Sequence, residues 1–166
     1  METAITSTAA LWFLPFAVPI AIWAAWNDMK FMKIPNTAVL ALFFVFLIVG
    51  LIAIPISEYP WRLLQLVIIL VAGFVLSALG MIGAGDAKFA AAIAPFVAYG
   101  DAKLMGYLLA AIVLAAFATH RIFQRSKAFR RLTPEWESWD NKDFPMGLAL
   151  GGVLVFYLIL GAIFGA

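Results

Sequence analysis

The stretch "LVIILVAGFVLSALGMIGAGDAKFA", Leu66 to Ala90, decides the reading of the chain. Its first part, through Gly80, is apolar without alternation, so it reads as a buried helix rather than a half-buried strand. Then Gly83, Gly85, Asp86 and Lys88 follow within six residues, and a second apolar run, "FAAAIAPFVAYG", begins at Phe89. A carboxylate at a junction between two such runs needs a reason.

The chain has 166 residues, of which 66% are hydrophobic and 12% charged. Soluble domains hold about 45–50% apolar and about 25% charged residues. The excess is gathered into runs at about Ala9–Trp26, Thr37–Ile54, Arg62–Ile82, Ala87–Tyr99, Leu104–Thr119 and Phe144–Phe164. About 20 helical residues cross about 30 Å of hydrocarbon. The expectation is therefore an all-α, polytopic membrane bundle of six transmembrane helices. The fourth and fifth runs are short, and would cross where neighbours bury them or the bilayer thins. The first run has no basic residue before it, which argues for a retained helix over a cleaved signal. The whole of 1–166 reads as one integral-membrane domain with a cytoplasmic loop at about 120–143.

Six crossings make two sets of loops. Lys30, Lys33, Lys88, Arg121, Arg125, Lys127, Arg130, Arg131 and Lys142 fall on one side; Arg62 and Lys103 fall on the other. The richer side is the cytoplasmic one, so both termini are expected outside the cytoplasm. The segment "AAFATHRIFQRSKAFRRL" reads as a basic amphipathic extension of the fifth helix along that surface. Cysteine is absent, which excludes disulfides and thiolate metal sites, and His120 alone makes no metal cluster; it reads as a polar residue at a helix end. Neither a metal nor a cofactor is expected. The net charge of +2 is small, and no nucleic-acid partner is expected.

Most acidic residues stand where a membrane protein tolerates them: Glu2 at the terminus, Glu58 and Asp101 in outer turns, and Glu135, Glu137, Asp140 and Asp143 in the cytoplasmic loop. Asp28 and Asp86 remain, each where an apolar run meets the cytoplasmic side. Each has a plain reading. Asp86 can cap the fourth helix, with Gly83 and Gly85 ending the third. Asp28 can be an interfacial charge beside Asn27. Together they suggest more, because charges near hydrocarbon are costly and mark function by default. Two close carboxylates in a partly dry site share a proton, which is the arrangement of an aspartic protease. One activates water and the other polarises the scissile carbonyl. The glycines would let an extended peptide approach Asp86.

At these residues the chain resembles a known family. "GAGDAK", Gly83 to Lys88, is similar to the Gly-x-Gly-Asp signature of intramembrane aspartyl peptidases, with the Ala-Lys continuation of type IV prepilin peptidases. "DMKFMKIPN", Asp28 to Asn36, resembles that family's first aspartate motif, and "FPMGLALGG", Phe144 to Gly152, its Pro-x-Gly segment at the last helix. The resemblance implies removal of the short basic leader of prepilin or pilin-like precursors at the cytoplasmic face of the bacterial inner membrane. It implies Asp28 and Asp86 as the catalytic pair, and Lys88, Pro35, Asn36, Pro145 and Gly147 as supporting positions beside Gly83 and Gly85. Pro35 restricts the turn into the second helix, and Asn36 is a candidate cap for it. Large members carry an insert with paired Cys-x-x-Cys motifs, associated with zinc and N-methylation. This chain has neither cysteine nor insert, resembles the small Flp/Tad-type form, and is not expected to methylate.

Two other readings use the same residues. A non-catalytic pilus-assembly subunit would hold a pilin helix without cutting it; the presence of both aspartates argues against that. A small proton-coupled transporter would use the aspartates as a relay, but both lie toward one face and no carboxylate falls near the midplane. The expected partners are a prepilin helix and the lipid bilayer. In the cytoplasmic loop, the acids are expected to face a basic leader and the arginines to meet anionic headgroups, with Trp136 and Trp139 anchoring the segment at the interface.

Overall fold

The computed structural model describes residues 2–166. Helix α1, Ser7–Phe31, starts at Thr6, whose side chain accepts the Ala9 N–H at 3.1 Å. It runs one turn beyond the first apolar run and so carries Asp28 on regular helix. It ends where Met32 turns left-handed, φ 50°, and "KIPN" leads into α2, Asn36–Ala53. Helix α3, Tyr59–Ala78, stops at Gly80, φ +73°, with Gly80 N–H bonding to Ser77 and Met81 N–H to Leu76. That is a glycine C-terminal stop. Gly80 therefore ends α3, not Gly83 or Gly85.

Helix α4, Ala84–Ile93, is only ten residues, about 15 Å. Pro95 and Gly100 break it into 3₁₀ turns at Ala94–Phe96 and Tyr99–Asp101 before α5, Ala102–Arg125. Among the described residues, five segments are long and apolar enough to cross a membrane: α1, α2, α3, Tyr99–Arg125 and α7, Met146–Phe164. The fourth of the six expected runs, already short in the sequence, lies on α4 and falls below that length. The chain still travels along α4 from the Asp28 end of the bundle to the opposite end. Phe89 and Phe96 are wholly enclosed on the way. The basic extension of α5 is also interrupted: Ser126 caps a separate short helix α6, Lys127–Leu132, by accepting the Phe129 N–H.

The most extensive helix pair is α1 with α7. Small residues make it possible. Ala17, Ala21 and Ala24 are buried on α1, and a Cβ on Gly151 of α7 would stand 3.0 Å from the Ala21 carbonyl oxygen. Close backbone approach of this kind is how helices associate without a hydrophobic drive between them. Meanwhile Leu51, Ile52, Trp61, Phe74 and many other large apolar side chains face outward. Backbone groups are satisfied within helices and the apolar side is outside, which is the pattern of a protein solvated by lipid.

At the end away from Asp28, Thr3 bridges to Gly165, so the two terminal segments lie together. Asp101 stands in a turn at this end, Tyr99–Asp101, where it is buried and ties the end together, accepting from Ala4 N at 2.8 Å, Ile5 N at 3.0 Å and Tyr157 Oη at 2.7 Å. His120 is not at a helix end. It is 1% exposed, stacked on Trp139 at 5.2 Å and edge-on to Phe144 at 5.8 Å. Trp139 is thus buried in packing rather than exposed as an anchor, and Trp136 stacks on it at 5.4 Å.

Candidate active site

At the opposite end the last turn of α1, the start of α2, the α3–α4 link and the first turn of α4 surround an open cleft of about 1100 Å³. Asp28, Asp86, Gly83, Gly85, Lys88, Pro35 and Asn36 all line it. Seven of the nine residues picked from the sequence therefore converge, although 58 positions separate the two aspartates. The other two, Pro145 and Gly147, are buried at the start of α7, and Gly147 meets Asp28 from behind.

Asp28 is 5% exposed. Its Oδ2 accepts the Gly147 N–H at 2.6 Å. Helix α7 begins after Pro145, which offers no capping side chain. The first-turn N–H groups of a helix need an acceptor, and they favour an anion. Asp28 supplies that acceptor from a different helix. The geometry demands glycine at 147, where a Cβ would lie 2.9 Å from Asp28 Cβ, 3.0 Å from Oδ2 and 3.1 Å from Ile34 Cδ1. The Pro-x-Gly segment is therefore the seat of Asp28.

Asp86 sits in the first turn of α4, ahead of its apolar stretch, and is half-buried. It does not act as the N-cap; Gly83 occupies that position. The carboxyl leans back on Gly83, where a Cβ would be 2.7 Å from Oδ2. Burial, and then the neighbouring charge of Asp28, push Asp86 up to about 6, against the lowering effect of the Gly83 backbone hydrogen bond. Gly85 has more room: a Cβ there would meet Ile34 at 3.7 Å, an ordinary contact.

Lys88 does not reach a carboxylate. Its Nζ donates to Asn36 Oδ1 at 3.3 Å, joining α4 to α2 across the mouth of the cleft. Asn36 is accordingly not a cap by its side chain; α2 starts after Pro35 without one. Ile34 escaped sequence reading. It is 8% exposed and packs between Gly85 and Gly147, so one side chain spaces both aspartate seats. Only its place before Pro35 in the first motif pointed to it.

The acids of the loop divide. Glu135 pairs with Lys30 at 2.8 Å, which holds its carboxyl below the usual range, and Asp140 pairs with Arg130. Glu137 and Asp143, with Asn141 between them, instead line the cleft that holds the aspartates.

Residues 15–120 match the profile of the type IV leader peptidase family. Comparison with curated proteins and with solved structures gave no match.

Proposed function

The chain belongs to the type IV leader peptidase family, and we propose from that membership that it is an aspartyl endopeptidase of the bacterial cytoplasmic membrane. Its substrate is a prepilin or pilin-like precursor, cut after a short basic leader at the cytoplasmic face. One observation carries the reading: Asp28 and Asp86 line a single cleft at the basic end of the bundle. In this reading α4 and the turns after it make a sixth pass, shielded by its neighbours, and both termini lie outside the cytoplasm.

The two carboxyls stand in different settings, and that difference supports different roles for them. Asp28 keeps one oxygen on the α7 N-terminus and uses the other as general base. It takes a proton from water, whose oxygen attacks the scissile carbonyl carbon. Asp86, raised to about 6, holds the proton that the carbonyl oxygen receives. When the C–N bond breaks, Asp28 passes the proton it took from water to the nitrogen, which leaves as the new N-terminal amine, and Asp86 recovers its proton from the gem-diol hydroxyl as the carboxyl product forms. Relay transport is disfavoured by the position of both carboxyls at one end of the bundle.

Purified protein incubated with candidate precursors should release the leader, read as the mass of the mature N-terminus. Precursors that remain intact across a panel of basic-leader substrates would refute the assignment.

A further inference from the structure

Residues 133–144 form a strap between the cleft and the last turns of α5. Its residues divide by what they face. Glu137, Asn141 and Asp143 line the cleft, while the Trp139 ring and the backbone carbonyls of Trp139 and Lys142 turn to α5. Phe144 does both: it lines the cleft and meets Phe117 and His120 edge-on at 5.6 and 5.8 Å. Whatever holds the far side of the strap therefore sets this wall of the cleft.

Three side chains of α5 hold it. His120 stacks on Trp139 at 5.2 Å. Among the described residues, its two buried ring nitrogens have no hydrogen-bond partner, so it offers a flat face and fixes no register. Gln124 does fix one. Its Nε2 donates to the Trp139 carbonyl at 2.8 Å, and its Oε1 accepts from Arg121 Nη1 at 2.8 Å. A guanidinium only donates, so it faces the amide oxygen and leaves the amide nitrogen for Trp139. Arg121 also donates from Nη2 to the Lys142 carbonyl at 3.0 Å and lies over the Phe117 ring, 5.0 Å from its centroid. Both ties fall between Glu137 and Asp143 in the chain. Among the described residues, neither of those acids is in an ion pair that would hold it in place.

On the proposed peptidase reading, Glu137 and Asp143 face the basic leader. We infer that Gln124 is a positioning residue for recognition of that leader: with its amide oriented by Arg121, it fixes the strap and so holds both carboxylates at the cleft wall. It lines neither the cleft nor the aspartate pair. Its effect falls on KM rather than kcat, because Asp28 is seated separately, by the Gly147 N–H.

The chain lacks cysteine, so Lys142→Cys, at an exposed position, takes a single spin label. Gln124→Leu removes the bond to Trp139 without adding charge. Gln124→Glu keeps an acceptor for Arg121 and sets an oxygen against the Trp139 carbonyl. In protein reconstituted in vesicles, both changes should narrow the label's central resonance line, as a loosened strap requires. In unlabelled protein both should raise KM for a basic-leader precursor about three- to tenfold at low salt, with kcat within about twofold of the parent. On a Glu137→Gln/Asp143→Asn background, Gln124→Leu should add nothing further to KM. A line unchanged in both variants, or an unchanged KM in a parent that cleaves, would overturn the inference. A KM rise that persists in full on the double-variant background would overturn it too, because the strap would then act through something other than those acids. A parent that cleaves no basic-leader precursor would instead sink the peptidase reading, and the inference with it.

Discussion

Gly147 and Gly85 show how differently two glycines can serve one site. A Cβ at 147 collides with Asp28 and with Ile34, both held by packing, so Gly147→Ala must displace the carboxylate or α7. Its kcat should fall at least about tenfold, since sub-ångström misplacement of a catalytic group is costly. Gly85 has space, and alanine is the better helix residue there, so Gly85→Ala should fold with equal or slightly greater stability. If a substrate backbone passes over Gly85, its KM should rise while its melting temperature does not fall; an unchanged KM would remove Gly85 from the site. Asp28→Asn and Asp86→Asn should each lower cleavage at least about 100-fold in protein that remains folded by circular dichroism. Appreciable processing by either variant would rule out the pair. Protonation sets the pH dependence. Asp86 must carry its proton, and its affinity for that proton is raised to about 6, so kcat/KM should decline as pH rises through about 6. A rate still climbing between pH 6 and 8 would reverse the assigned roles.

At the scale of elements, Glu137 of the 3₁₀ turn Glu137–Trp139 and the segment after that turn form one wall of the cleft, the wall that would face a substrate leader. Paired acids cannot serve a basic leader as well as unpaired ones. Glu137→Gln with Asp143→Asn should therefore raise KM for a basic-leader precursor roughly two- to tenfold at low salt and less at high salt. Glu135→Gln should leave KM within about twofold, because Glu135 already serves Lys30. Kinetics measured on these variants would separate recognition from charge balance within the loop. Sequence alone treated the four acids as one cluster, since nothing local distinguishes a paired acid from one that faces a cleft. The long apolar helices were legible, because continuous runs of that length have few other solutions. The true seat of Asp28 was not: its partner is the N–H of Gly147, 119 residues away. The pairing of Lys88 with Asn36 escaped for the same reason, while the shortness of the fourth run was visible, because Pro95 and Gly100 interrupt it.

For the whole molecule, parity is the question. The Thr3–Gly165 bridge puts both terminal segments at one end, and Asp28 and Asp86 line a cleft at the other. Starting and finishing at the same end requires an even number of traverses. Helices α1, α2, α3, α5 and α7 supply five long segments, and in the proposed reading α4 with its two 3₁₀ turns makes the sixth traverse. A ten-residue helix can make that return because its buried face, including Phe89, Ala91, Ala92 and Ile93, packs on protein rather than lipid. Of the eleven lysines and arginines, only Arg62 and Lys103 belong to the end that holds the termini. In the proposed reading that asymmetry turns the cleft toward the cytoplasm. Reporter fusions after Arg131 should therefore give the cytoplasmic signal, and fusions after Glu58 or at the C-terminus the external one. A C-terminal fusion that reports cytoplasm alongside the Arg131 fusion would mean that α7 does not cross. It would also break the terminal bridge and the α1–α7 pair that seats Asp28, so the site would fail with the topology.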